Sequence, residues 1–503
     1  MTVSTIARPE LVRGGRTAPT IPAWGAGVAL GFFGFLVSFI GIGNPSLWGD
    51  EAASVMSAER PLPSLFRMLG NVDAVHGTYY LFLHFWIHVF GTSELSVRFP
   101  SAVAVGFVVA GVFVLGSQLS SRRLGILAAI VCAVIPRIVS IGGDARSYAI
   151  STAIAVWLTI LLVRLTRRGD TRKLAWVGYG VGLAIGLYTF LFLVLLIPVH
   201  AFHLVLRRQV PGIRRRFLQA VALGVLIATP VVVYGYAQRG QVAFLSHRNY
   251  ATFSYVAVSQ WFGKPQFAVI AWALILFALV AGVLVVRRRG SVPPIATLAV
   301  VWLVVPTALL LALNTVTPSY NLRYLSMSTP AAALVIAAGI LALRRRWLVV
   351  AATLAVVALA VPVDVAQRGP YANDGGSDWR QVSQYVAAHS GPGDAIVFDG
   401  TVRNSRLPRL AMRMYPQDYQ GLSDVELVTP WHETAGLWDV TAPLDAVTGQ
   451  LATTNTVVLL TERGSRDSTE GADLSTLERL GFQQQYDKTV NRTTVHILTR
   501  GTP

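Results

Sequence analysis

The sequence predicts an α-helical polytopic membrane protein of about eleven transmembrane helices, followed by a small soluble α/β domain. Hydrophobic residues make up 53% of the 503 positions and charged residues only 13%. The mean hydropathy is +0.54, which lies outside the range of most soluble proteins. Apolar segments recur up to residue 363, and the composition then becomes that of a soluble domain.

Apolar segments of span length occur throughout the first part of the chain. With about 17 to 25 apolar residues per crossing, the single crossings are 23–43, 97–119, 124–141, 148–166, 217–236, 266–286, 293–313, 326–343 and 347–363. The longer stretch 174–206 has basic residues on both sides. Because basic loops prefer the cytoplasm, we expect two short crossings there.

Clusters of arginine set the predicted topology. The clusters 122–123, 287–289 and 344–346 fall on one side only if Tyr79–Phe90 does not cross, so we predict an interfacial helix for that segment. Residues 1–22 then form a cytoplasmic tail without a cleavable signal pattern. Residues 23–363 form the membrane domain of a multi-pass plasma-membrane protein. The outer loops become 44–96, 142–147, 237–265 and 314–325.

Residues 364–503 are predicted to be an extracytoplasmic α/β domain. We expect helices at 378–390 and 474–481, and strands at 394–399, 455–462 and 493–499. The net charge of +17 does not indicate nucleic acid, because the basic residues lie in short clusters between apolar segments. The single cysteine, Cys132, excludes a disulfide within the chain.

Polar residues of the types used in catalysis and ligand binding are concentrated in the predicted outer loops. Asp50 and Glu51 follow the first apolar segment closely, and carboxylates so near hydrocarbon are costly unless they serve a function. The same loop continues to Glu94 and Arg98. Further motifs in the outer loops are Asp73-Ala-Val-His76, Asp144-Ala-Arg146-Ser-Tyr148 and Asn321-Leu-Arg323-Tyr324.

The order of these motifs resembles that of polytopic glycosyltransferases of the protein O-mannosyltransferase and lipid A aminoarabinose transferase type, glycosyltransferase family 39-like. The resemblance spans most of residues 23–345, and the tail with Ser377-Asp-Trp-Arg380 looks like that of actinobacterial members. It implies the C-type glycosyltransferase architecture, with the catalytic loop at 44–96. The implied reaction transfers a sugar from a polyprenyl-phosphate carrier to an acceptor outside the membrane, with inversion.

The resemblance implies a role for each outer-loop charge. Asp50 matches the family's loop aspartate and is the expected general base, with Glu51 as a second catalytic candidate. A phosphate leaving group needs positive charge beside it, which arginine supplies by bidentate contact. Arg146 and Arg323 are the first candidates for binding the donor phosphate, followed by Arg98 and Lys264.

Other polar and aromatic residues of these loops are expected to bind substrate. They are Asp73, His76, Tyr79, Asp144, Tyr148 and Tyr324. No metal signature occurs, and a divalent cation held by Glu51 and Asp73 with His76 stays open as the only cofactor considered.

Alternative interpretations stay open at this stage. The arginines can be snorkelling anchors, and the tyrosines can belong to an aromatic belt. A lipid or sugar transporter or a non-catalytic assembly partner would also place charges beside spans. The sugar is open among mannose, arabinose and galactose, and the acceptor is open among an envelope glycan, a glycolipid and a protein hydroxyl.

Overall fold

The computed structural model describes residues 23–501 apart from 208, 291, 401, 466 and 467. The predicted cytoplasmic tail, 1–22, lies outside the described residues. A bundle of apolar helices is followed by a small domain built on a five-stranded sheet. The predicted fold class is therefore confirmed.

Fifteen α-helices form the membrane part of the described chain. They are α1 (Ala23–Phe39), α2 (Gly49–Glu59), α3 (Leu62–Leu69), α4 (Gly77–Phe90), α5 (Glu94–Leu119), α6 (Arg122–Val134), α7 (Pro136–Gly142), α8 (Tyr148–Arg167), α9 (Lys173–Thr189), α10 (Leu196–Leu206), α11 (Ile213–Ala237), α12 (Pro265–Arg289), α13 (Val301–Asn314), α14 (Thr329–Ala342) and α15 (Arg346–Ala366). Each apolar segment predicted from the sequence coincides with one of these helices or with a consecutive pair.

Seven helical segments of the described chain are long and apolar enough to cross a membrane. The pair α6 and α7 makes an eighth if its two parts, which meet at 62°, count as one span. The bend falls at Ile135, whose backbone is extended before Pro136, because proline disfavours helical geometry at the preceding residue. The chain is a multi-pass membrane protein, and eleven crossings stay a prediction.

Glycines allow the apolar helices to approach closely. A Cβ atom on Gly180 of α9 would lie 2.6 Å from the Ala220 carbonyl oxygen of α11, and one on Gly339 of α14 would lie 2.1 Å from the Leu274 carbonyl oxygen of α12. Small residues permit such backbone contact, which supplies the van der Waals packing that holds helices together in lipid.

The described part of the C-terminal domain contains three α-helices and seven strands. They are α16 (Trp379–His389), β1 (Ala395–Phe398), α17 (Arg409–Met414), β2 (Ser423–Asp424), β3 (Leu427–Thr429), β4 (Val440–Thr441), β5 (Thr456–Glu462), α18 (Glu470–Arg479), β6 (Phe482–Thr489) and β7 (Thr493–Arg500). The main sheet has the order β2-β1-β5-β7-β6. Strand β1 runs parallel to β2 and β5, whereas β7 runs antiparallel to β5 and β6.

The expected helices and strands of this domain all occur, but the sequence analysis did not predict helix α17 or the strands β2, β3, β4 and β6. Every residue of β6 after Phe482 is exposed, and the sequence Gln-Gln-Gln-Tyr-Asp-Lys lacks the apolar alternation that marks a strand with one buried face. β6 lies at the sheet edge, where pairing with one neighbour is enough to hold it.

The C-terminal domain packs directly on residues 44–96, the predicted first outer loop. One hydrophobic core contains Val55 of α2 and Tyr80 of α4 together with Trp379 and Ile396 of the domain. Arg60, which is fully buried, donates to the carbonyl oxygens of Thr434 and Gly436 at 3.0 and 2.6 Å. Arg380 also pairs with Glu94. These contacts fix the domain above the helix ends that carry the predicted site.

Candidate functional site

Asp50 lies in the first turn of α2, beside the end of the first apolar helix. The preceding Gly49 is in close contact with the C-terminal domain, since a Cβ atom there would lie 2.1 Å from the Ser405 carbonyl oxygen. The positive end of the helix dipole favours a carboxylate in this turn. Asp50 therefore carries a negative charge where the two domains meet.

Arg323 forms an ion pair with Asp50. Its Nη1 atom lies 2.8 Å from Asp50 Oδ2, and the two side chains are 26% and 22% exposed. The guanidinium also lies over the rings of Trp48 and Tyr148, 4.9 and 5.9 Å from their centroids. The pair is partly open, so a ligand can reach both partners.

The pKa of Asp50 lies below its ordinary value. Burial acts to raise the pKa, but the positive charges of Arg323 and Arg146 outweigh that effect. Asp50 is therefore an ionised carboxylate at neutral pH, the state in which it can accept a proton.

Arg146 comes from the short loop between α7 and α8. It donates to the Asp50 carbonyl oxygen, Ser54 Oγ and Tyr80 Oη at 3.3 Å each. Its Nη2 atom lies 3.2 Å from His76 Nε2, which must accept because a guanidinium only donates. Burial and the charge of Arg146 lower the pKa of His76 to about 4, so this imidazole is neutral at pH 7.

Glu51 and Arg98 form a separate, fully buried ion pair. Arg98 Nε and Nη2 donate to the two Glu51 carboxylate oxygens at 2.7 and 2.6 Å, and both side chains are 0% exposed. The Ala145 N–H donates to Glu51 Oε1 at 3.0 Å. Arg98 also donates to the carbonyl oxygens of Ile42 and Pro45. The pair joins three segments that carry the site and does not line its cavity.

A cavity of about 510 Å³ joins these residues to the C-terminal domain. Its polar lining includes Asp50, Asp73, His76, Gln238, Asn321, Asn404 and Ser405, and its four arginines are Arg146, Arg239, Arg323 and Arg403. Its aromatic lining includes Tyr148, Phe190, Phe192, Phe244, Tyr324 and Trp438. The structure thus brings Asp50, Arg146 and Arg323 to one cavity, as expected.

The other candidate residues divide between the cavity and its surroundings. Asp73 accepts a hydrogen bond from Tyr80 Oη at 2.7 Å and lines the cavity, as do Tyr148 and Tyr324. Tyr79 is buried in the core beside α2. Asp144 is buried outside the lining, and burial together with the charge of Glu51 raises its pKa to about 7.

Lys264 is exposed at the start of α12 and lies outside the lining. Within the described part of the chain, no three side chains of the His, Cys, Asp and Glu types come together as a metal site. Glu51 in particular is engaged with Arg98, away from Asp73 and His76.

Sequence reasoning did not assign several lining residues to the site. Arg239 and Gln238 lie in a predicted outer loop, and that position is the one sequence feature that could have assigned them to the site. Arg403 and Trp438 belong to the C-terminal domain, and nothing local marks them, because their contribution depends on how the domain docks.

Comparisons with known proteins support this architecture. Residues 78–234 match the family model described as dolichyl-phosphate-mannose-protein mannosyltransferase. A comparison with curated proteins found no match. The family match and the shared fold described below together support a glycosyltransferase.

Solved structures with the same fold cover nearly the whole chain. ArnT from Cupriavidus metallidurans in the apo state superposes with a TM-score of 0.58 at 11% identity, over 95% of this chain and 98% of ArnT. ArnT bound to undecaprenyl phosphate gives 0.58 at 13% identity, over 93% and 97%. Arabinofuranosyltransferase AftD from Mycobacteria gives 0.52 at 14% identity, over 95% of this chain and 40% of AftD. The chain therefore has the predicted C-type glycosyltransferase architecture.

Proposed function

We propose that this protein transfers a sugar from a polyprenyl-phosphate donor to a hydroxyl group of an acceptor, with inversion, on the extracytoplasmic side of the plasma membrane. One observation carries the proposal. A single cavity combines the partly exposed Asp50 carboxylate with four arginines and an aromatic wall. An anionic, lipid-linked donor and a neutral hydroxyl match these three features.

The arginines are the proposed site of the donor phosphate. Arg323 and Arg146 lie beside the starts of apolar helices, and the ends of spanning helices are where a protein meets lipid headgroups. Arginine is suited to phosphate because its planar donor fork can make two hydrogen bonds at once. ArnT has been solved bound to undecaprenyl phosphate, and we extend that ligand class to this chain.

Asp50 is the proposed general base. The acceptor oxygen attacks the anomeric carbon and its proton passes to Asp50, while the bond from that carbon to the phosphate oxygen breaks. The bonding pair leaves with the phosphate, whose negative charge the arginines stabilise. Unlike a glycosidase, which protonates its leaving oxygen with a second carboxyl group, this reaction releases an anion that is already stable.

Donor binding would also change the basicity of Asp50. The Asp50–Arg323 pair is only 2.8 Å long, and its positive partner holds the pKa of the carboxyl down. A phosphate that takes over hydrogen bonds from Arg323 weakens that effect, so the pKa of Asp50 rises toward that of a better base. Proton abstraction is thereby linked to the presence of the donor.

The remaining residues have supporting roles in this proposal. Asp73, His76, Tyr148 and Tyr324 contact the transferred sugar or the acceptor, since they line the cavity. The buried Glu51–Arg98 pair positions the Asp50 turn. The arginine clusters of 122–123 and 344–346 support the proposed outer location, because they lie at the opposite helix ends from the cavity and arginine clusters favour the cytoplasm.

The test is sugar transfer by purified protein in nanodiscs with radiolabelled polyprenyl-phosphate mannose, arabinose and galactose and a crude envelope acceptor fraction. Wild type should transfer or hydrolyse one donor. Asp50→Asn should lower that rate by about 10²–10⁴-fold, the usual contribution of a positioned base, while the protein still binds the carrier lipid.

The matched control is Asp170→Asn. Asp170 also pairs with an arginine, Arg172 at 2.6 Å, but it lies in the loop after α8, away from the cavity. This variant should retain the wild-type rate. Wild-type turnover in Asp50→Asn would exclude Asp50 as the base. Movement of labelled lipid across the membrane without turnover of any donor would instead support the transporter.

A further inference from the structure

A second cavity, of about 370 Å³, lies in the C-terminal domain and adjoins the first. Asn404 and Trp438 line both cavities. The rest of its lining includes residues of β4 and the loop after it, such as Thr441 and Ala442, and a group of charged side chains. A molecule held in the second cavity can therefore extend past Trp438 toward Asp50.

The position of this cavity in the sheet is one at which ligands bind. Strands β1 and β2 are parallel, and Asp399 and Glu426 stand just after their carboxyl ends. Asp473 belongs to the first turn of α18, which follows β5. In open α/β sheets, ligands occupy the crevice outside the carboxyl ends of parallel strands.

The charged lining is held in place by its own hydrogen bonds. Glu426 Oε2 accepts from the Phe398 N–H at 3.0 Å and from Arg409 Nη2 at 2.9 Å. Asp439 accepts from the Trp431 N–H at 2.9 Å and from Arg413 Nε at 2.8 Å. Positioned acceptors of this kind are suited to ligand hydroxyl groups, because a carboxylate only accepts.

Burial raises the pKa of Glu426 to about 7 and also raises that of Asp473. Glu426 therefore carries a reduced negative charge at neutral pH, which disfavours binding of a simple cation beside it. Trp438 offers a flat apolar face at the junction with the first cavity. A sugar ring fits these features, because it carries hydroxyl groups around its edge and apolar C–H groups on its faces. The cavity therefore matches the chemistry of a carbohydrate.

We infer that the second cavity binds the acceptor as a neutral glycan. One sugar ring lies against Trp438, and the adjacent sugar rings of the glycan lie beside Asp399, Glu426 and Asp473. The inference rests on the proposed function and adds the acceptor class to it.

The test uses two adjacent positions of β4. Thr441 lines the second cavity and Val440 does not, and successive residues of a strand point to opposite sides. Both side chains are exposed, so Thr441→Trp and Val440→Trp add equal bulk to a surface strand. Melting temperatures of both variants equal to that of wild type would establish that both are folded.

Binding of linear manno-, arabino-, galacto- and gluco-oligosaccharides, and of a Ser/Thr-rich peptide, to the full chain in nanodiscs is measured by saturation-transfer NMR. We expect wild type and Val440→Trp to bind one series alike, and Thr441→Trp to bind it about tenfold or more weakly. Equal binding by the two variants would overturn the inference, as would binding only of a Ser/Thr-rich peptide or of no probe. Donor hydrolysis by wild type, measured in parallel, reports on the proposed function separately, since it requires no acceptor.

Discussion

Removal of the Arg98 guanidinium is the sharpest test of how the site is built. Arg98→Met keeps an unbranched apolar stem but removes the guanidinium, which leaves the Glu51 carboxylate without its partner, and both residues are 0% exposed. Breaking a buried ion pair from one side costs about 3–5 kcal/mol, because the remaining charge is uncompensated. The carbonyl oxygens of Ile42 and Pro45, 2.7 and 2.8 Å from Arg98 Nη1, also lose their donor.

The free energy of unfolding can be measured by SDS titration in mixed micelles. Arg98→Met should lower it by about 3–5 kcal/mol. Arg164→Met, which changes an exposed arginine of α8, should stay within about 0.5 kcal/mol of wild type. In the double variant Glu51→Gln/Arg98→Met the loss should be smaller than the sum of the two single losses, because the uncompensated charge is gone.

Two results would contradict this account of the ion pair. Wild-type stability of Arg98→Met would show that the pair does not hold the loop together. Loss of sugar transfer in Glu51→Gln at unchanged stability would show that Glu51 takes part in the chemistry and does not act only by positioning Asp50.

Two further predictions concern residues that line the cavity. Arg323→Lys should raise the KM for the donor and lower kcat, so that kcat/KM falls by about tenfold or more, because a lysine cannot make a bidentate contact with phosphate. Steady-state kinetics with the labelled donor measure this change, and an unchanged kcat/KM would contradict the prediction. Burial lowers the pKa of His76 from 6.5 to about 4, so the unfolded state binds more protons in that window. Wild type should therefore lose stability as the pH falls from 6.5 toward 4, whereas His76→Asn should lose less; parallel pH-stability curves for the two proteins would contradict the assignment.

Local sequence was sufficient to locate the apolar helices and the motifs at their ends. The thickness of the hydrocarbon layer fixes how many consecutive apolar residues a span needs. The positions of helices such as α8 and α12 can therefore be predicted from the local sequence. Short runs of apolar and β-branched residues likewise marked β1, β5 and β7. Asp50, Arg146 and Arg323 were recognisable because a charge beside a span is costly and the order of their motifs resembles a known family.

Which of these charges meet depends on the tertiary structure. Asp50 and Glu51 are neighbours in one helix, where successive side chains point in directions about 100° apart, so packing alone set one toward the cavity and the other toward Arg98. Lys264 and Arg98 also stand at helix ends, yet neither lines the cavity. Arg403 and Trp438 reach it because a shared hydrophobic core docks the C-terminal domain on α2 and α4. Contacts between segments hundreds of residues apart depend on the packing of both surfaces, and no local pattern in the sequence encodes them.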